Sequence, residues 1–199
     1  MRRLTMVLAA VAALSVPALA RTQAPGSWTI DTNHSAAGFS VRHLLMSTVR
    51  GTLGPVKGTI EYDGTSIQSI KADVSIDVNG IDTGSQARDR DLRSADGLFE
   101  TSKFPTATFK STRVIAGTAG AFKLVGLLTI HGVTKEVTLD VEGPSPAIKQ
   151  GPALRIGASA TTTINRKDFG LSYNMMVEAA PAVSDEVKIT IDVEATRRG

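Results

Sequence analysis

Three histidines, no cysteine and a run of five charges between Arg88 and Arg93 are the residues of this chain with chemistry to offer. Phe39, Val41 and His43 fall on one face of an extended segment, so His43 ends an apolar row. If that face points inward, the imidazole stands at the polar end of a cavity. There it would hydrogen-bond a carbonyl or phosphate oxygen of a ligand. The plainer alternative is a structural histidine bonded within the protein, as buried polar groups usually are. His34 precedes Ser35 at a bend, where a local turn bond is expected. His131 lies in a His131-Gly132 turn and is expected to be exposed. A metal site needs several converging ligands at recognisable spacing, and the chain has no His-x-His, no HExxH and no cysteine. A hydrolase needs a serine or cysteine beside a positioned base. There is no Gly-x-Ser-x-Gly elbow and no phosphate-binding P-loop. Asp31, His34 and Ser35 are near in sequence, but neighbours on a strand point to opposite faces. These residues predict neither a metal centre nor an enzyme.

The elements that must position them are strands. Ala72, Val74, Ile76 and Val78 alternate with polar residues, as do Val137, Leu139 and Val141, and Val187, Ile189, Ile191 and Val193. Period-two alternation marks strands with one face in a core and one in water, the antiparallel habit. Weaker alternation recurs at 27–32, 37–43, 52–62, 106–114, 122–130 and 154–164, between turns rich in glycine and proline. About eight or nine strands predict an all-β barrel or sandwich. The length of several of them favours closure, because a barrel leaves no open edge. A barrel of about eight strands is either filled by side chains or holds one small ligand. One short helix interrupts this pattern at 84–93. Thr83 and Gln86 fit a capping box at its start. Leu92 is the only large apolar residue in its charged body, so it is no core helix. It is either a solvated surface helix or one laid across a barrel end, with an arginine turned toward a polar ligand group.

Residues 1–20 have a basic start at Arg2-Arg3, an apolar run from Met6 to Val16 and an Ala18-Leu19-Ala20 cleavage site, the pattern of a secretory signal peptide. The run is too short for a membrane span, which needs roughly 20 apolar residues. Residues 21–26 read as a flexible lead and 27–196 as one domain. Expected localisation is the periplasm, with no transmembrane segment in the mature protein. The whole chain carries +3 from 22 basic and 19 acidic residues. Two of those basic residues lie in the signal segment, so a mature charge near neutral leaves no nucleic-acid footprint.

The chain resembles the YceI-like family of exported lipid-binding proteins. The resemblance rests on WTIDTNHSAAGFSVRHL at 28–44, STVRGTLGPVKGTI at 47–60, ARDRDLRSADGLFETSKFPTATFKST at 87–112, LVGLLTIHGVTKEVTLDV at 124–141 and INRKDFGL at 164–171. It implies a lipocalin-like antiparallel barrel with an elongated apolar interior and no enzymatic activity. The implied ligand is a polyisoprenoid or an isoprenoid quinone, bound without covalent attachment, for carriage or storage. The alternative is a filled barrel that serves as a structural or partner-binding module. A homodimer is left open. In this reading Phe104, Phe109 and Phe169 are pocket walls or ordinary core, and Met175 and Met176 are a flexible lip or ordinary core. Arg42, His43, Arg88 and Arg93 are candidates for the polar mouth. The family often has a histidine where this chain has Asp91, and an aromatic where it has Gly97. Loss of that ring is expected to loosen the pocket border.

Overall fold

The computed structural model describes residues 26–94, 96–118, 120–173, 176–177 and 180–199; of 176, 177, 180 and 181 it describes the backbone. The expected signal peptide and nearly all of the lead lie outside these residues. Strands run in the order β1 Ser27–Ile30, β2 Ala36–His43, β3 Ser47–Thr52, β4 Val56–Glu61 and β5 Lys71–Asp77. After the helix α1, Gln86–Ser94, follow β6 Thr106–Ala116, β7 Ala121–Ile130, β8 Val133–Glu142, β9 Ile148–Gln150 and β10 Ala153–Asn165. A small hairpin, β11 Met176–Val177 and β12 Ala180–Pro181, precedes β13 Val183–Arg198.

The sheet closes through β13. One edge of β13 pairs with β10 from Ala153–Arg198 to Asn165–Glu186, and the other pairs with β1 and then β2. From β1 the order continues through β4, β5, β6, β7, β8 and β10, so eight antiparallel strands form a closed barrel. The ribbon β2–β3 extends the wall beyond the barrel on one side. Closure gives each barrel strand a partner on both edges, which is why long strands are tolerable without disulfides.

Strand directions fix the two ends. One end gathers the β2–β3 turn, the segment 78–105 with α1, the β7–β8 turn and residues 166–182. The other gathers Gly26, the β4–β5 turn, the β6–β7 turn and the loop from Gly143 to Pro152. The helix end is packed. Val78, Ile81, Phe169 and Leu171 are buried there, with Leu92 and Phe99 against them. Leu92, the one large apolar residue of α1, is what docks the helix onto this plug.

The helix begins two residues later than the sequence predicts, and Gln86 closes no capping box. Asp89 does that work from inside the helix: its buried carboxylate accepts the Thr83 N–H at 2.9 Å and the Thr83 hydroxyl at 2.6 Å. An acid in the first turn also suits the helix dipole.

The β2–β3 turn puts leucines where asparagine and glycine are favoured. Leu44 and Leu45 have φ of 50° and 59°, with Met46 N–H donating to the His43 carbonyl at 3.0 Å. Positive φ at both central residues is the geometry that asparagine and glycine adopt cheaply. Leu45 is 67% exposed, so its side chain recovers little burial in return. Leu45→Gly is expected to raise unfolding free energy by about 1 kcal/mol, the strain of one left-handed residue. A urea midpoint equal to or below that of the parent would sink this expectation.

Candidate functional site

The barrel encloses a lumen lined almost wholly by apolar side chains from all around the wall, among them Leu53, Val74, Phe109, Leu124, Leu139 and Ile191. The inward rows explain it. On β13 these are Val187, Ile189, Ile191, Val193 and Ala195, and on β10 Ile156, Ala158, Ala160 and Thr162. Small residues on β10 leave space that larger ones would fill. On β7 the inward Gly126 leaves room for the Phe109 ring, which an added Cβ would meet at 2.5 Å. The free space, counted as room for the centres of water-sized spheres, is about 130 Å³. One water takes about 10–15 Å³ on that measure. The lumen is therefore hollow.

The lumen adjoins an outer cleft at the end opposite the helix. Tyr62, Pro144 and Ile156 line both the lumen and an outer cleft, which is completed by Trp28, Asp63, Gly64, Ser145, Pro146, Ala147 and Arg197. Trp28 is fully buried and its indole N–H donates to the Tyr62 carbonyl at 3.0 Å. The Arg197 guanidinium lies 4.6 Å from the centre of the Trp28 ring, a cation–π contact. Asp63 faces the same cleft but spends its carboxylate on the turn, accepting from Thr65 N–H, Ser66 N–H and the Thr65 hydroxyl.

The residues singled out from sequence are placed as follows. Phe109 lines the lumen. Phe39 and Val41 are half-buried in β2, and Phe39 packs over Gly51 and against the core rather than into the lumen. His43 and Arg42 are exposed near the β2–β3 turn, on the ribbon that runs past the barrel, so His43 is not the polar end of a cavity. Arg42 is spent on that turn, donating to the Leu45 and Met46 carbonyls at 2.7 and 3.0 Å. Arg88 donates to the Thr83 hydroxyl and carbonyl, and Arg93 to the Ile81 carbonyl, so both brace the helix rather than face a ligand. Phe104 stacks edge-on against His131, with ring centres 4.4 Å apart, and Phe169 belongs to the plug. Met175 lies outside the described residues, and of Met176 only the backbone is described. Among the described residues, the polar side chains that adjoin the lumen lining lie at the other end, in the cleft with Asp63, Ser145 and Arg197.

Two further expectations change. His131 is largely enclosed, its side chain 14% exposed beside Phe104, with Nε2 3.4 Å from a Glu100 oxygen. Gly97 does not border the lumen. At φ 73° its carbonyl accepts the Tyr173 N–H, and a Cβ there would sit 2.9 Å from that nitrogen. The glycine lets the helix segment and residues 171–173 meet.

Asp31, His34 and Glu194 bring their ligand-type atoms within 4.8 Å of one another. That site already has its cation. Arg155 donates to Asp31 at 2.9 Å and to Glu194, and His34 Nδ1 lies 3.0 Å from Asp31 as the local bond expected of it. Arg155 and then His34 hold the Asp31 carboxyl down to about 2 from 3.8. Lys103, aided by backbone and His131 bonds, holds Glu100 down to about 2 from 4.5. Depressed values mean stability that is complete above the unfolded values and lost as pH falls from about 4.5 toward 2. Asp31→Asn and Glu100→Gln should each flatten the fall of Tm between pH 5 and 2. A variant that keeps the parent slope would show that its pair contributes nothing.

Eight antiparallel strands around an apolar hollow, with a helix-bearing plug packed at one end and a polar cleft at the other, define a lipocalin-like barrel. A profile of the YceI-like domain matches residues 28–195. A UPF0312 protein of Vibrio cholerae is 32% identical over 173 residues, covering 86% of this chain and 89% of its own. One from Staphylococcus aureus is 35% identical over 154 residues, covering 76% and 86%. The crystal structure of the Campylobacter jejuni YCEI protein superposes with a TM-score of 0.67 at 30% identity, covering 79% of this chain and 90% of that one. Burkholderia cenocepacia BcnA superposes at 0.70 with 21% identity, covering 83% and 98%. The chain belongs to the YceI-like family. Among the described residues no helix is long and apolar enough to cross a membrane.

Proposed function

We propose that this protein, exported to the periplasm, binds a long apolar lipid of the polyisoprenoid or isoprenoid-quinone type in the lumen, for carriage or storage, and is not an enzyme. The observation that carries this reading is the hollow apolar lumen that adjoins a polar cleft. An apolar chain gains about 0.8 kcal/mol for each CH₂ removed from water, so a buried tail is held strongly without any specific bond. The space also speaks against a side-chain-filled structural barrel. A polyisoprenoid binding domain from Saccharophagus degradans shares the fold, with a TM-score of 0.60 at 21% identity over 84% of this chain and 97% of that one. The test is mass spectrometry of an organic extract of the denatured protein, purified from periplasm. A long-chain lipid is expected in stoichiometric amount. Lipid-free extracts from repeated preparations, together with no uptake of added ubiquinone, would overturn the reading.

A further inference from the structure

We propose that Arg197 is the recognition site for an anionic head group, phosphate or carboxylate, carried by the chain whose tail occupies the lumen. The proposal rests on the lipid-binding reading and adds the chemistry of the head. Arg197 continues the inward row of β13, two residues beyond Ala195, so the wall that is apolar along the lumen ends on a guanidinium at its mouth.

That guanidinium is held but unspent. It lies 4.6 Å from the Trp28 ring centre, and its Nε is shut off from solvent with no hydrogen-bond partner. It makes no ion pair with any described residue. The other described arginines that are buried or half-buried all have polar partners: Arg93 binds backbone carbonyls, Arg155 binds Asp31 and Glu194, and Arg166 binds Asp185 and three carbonyls. A half-buried cation without a partner is costly. An oxyanion supplies the charge-assisted, two-pronged bond that guanidinium geometry favours. Asp63, the acid of the same cleft, is engaged by its own turn. A chain with its tail past Tyr62 and Ile156 brings its head to this point, since both residues belong to lumen and cleft alike.

Trp28 is the single tryptophan of the chain, so its emission reports on the site directly. Farnesyl monophosphate, palmitate and farnesol are titrated into the delipidated full-length mature protein and into Arg197→Gln and Arg197→Lys. A hydrogen bond to a charged partner is worth about 1.5–3 kcal/mol, so farnesyl phosphate should bind about tenfold or more tighter than farnesol. Arg197→Gln should erase that preference while farnesol binding stays as it was. Arg197→Lys should keep part of it, because a point charge replaces a fork. Inorganic phosphate alone should leave the emission unchanged, and a shift at the same concentrations would overturn the lipid head group in favour of a free anion. Equal affinities for all three chains, or a preference that survives Arg197→Gln, would overturn the head-group site and leave the lumen reading standing. Failure of every chain, farnesol included, would overturn both.

Discussion

Ala158→Leu combined with Ala160→Leu should abolish chain binding while leaving the barrel folded. Both alanines lie on the inward row of β10, facing the lumen, with Val193 and Ile191 opposite them on β13. Each leucine adds three carbons to a hollow whose free space is about 130 Å³. If the pair displaces about four CH₂ groups of a bound chain, about 3 kcal/mol of burial is lost, a fall in affinity on the order of a hundredfold. The fold should survive, because the new methyls occupy space that is empty of protein atoms. Overpacking costs of about 1–3 kcal/mol arise where no such space exists. Thr163→Leu, exposed on the same strand, is the control and should bind like the parent. Binding is read by copurified lipid and by uptake of an added isoprenoid. A double variant that retains the same lipid at the same stoichiometry would place the ligand outside the lumen.

The strands carrying that prediction were legible in the sequence, since Val187, Ile189, Ile191 and Val193 state by alternation which face is inside. Closure of the barrel was legible too, because long two-faced strands without disulfides have few other ways to hide their edges. The mouth was not. The charged helix at 84–93 and the row ending on His43 point to the helix end. Whether an end is sealed depends on contacts between segments far apart in the chain. Gly97 meets Tyr173, and Phe169 joins Ile81 in one plug. No local pattern announces such meetings. The signal for the polar cleft was present but quiet: the β13 row runs two steps further than its last large apolar residue and ends on Arg197. Arg88 and Arg93 stand out in the sequence as candidates for a polar mouth because sequence shows a cation readily and its backbone acceptors hardly at all.

The seal itself can be loosened by one residue. Arg166 is 5% exposed and follows β10 directly. Its Nε donates to the Ser184 carbonyl at 3.1 Å, one terminal nitrogen donates to the Leu171 and Tyr173 carbonyls, and the other binds Asp185 at 3.0 Å. One side chain thus ties the strand β10, the plug at Leu171 and the start of β13. Arg166→Met keeps much of the volume and removes every donor. Asp185 would not be stranded, being partly exposed and paired with Lys167 as well. Lys167 and Arg166 together hold its carboxyl below the usual range. The cost therefore comes from the three carbonyls, each left without its partner at about 1 kcal/mol or more, giving about 3 kcal/mol in all. Arg166→Lys should recover only part of this, since an ammonium cannot reach acceptors spread around a planar fork. Asp185→Asn should cost much less than either. The order Met, then Lys, then Asn in urea unfolding is the expected result. An Arg166→Met variant within 1 kcal/mol of the parent would mean that the plug is held by the packing of Phe169, Leu171 and Ile81 alone.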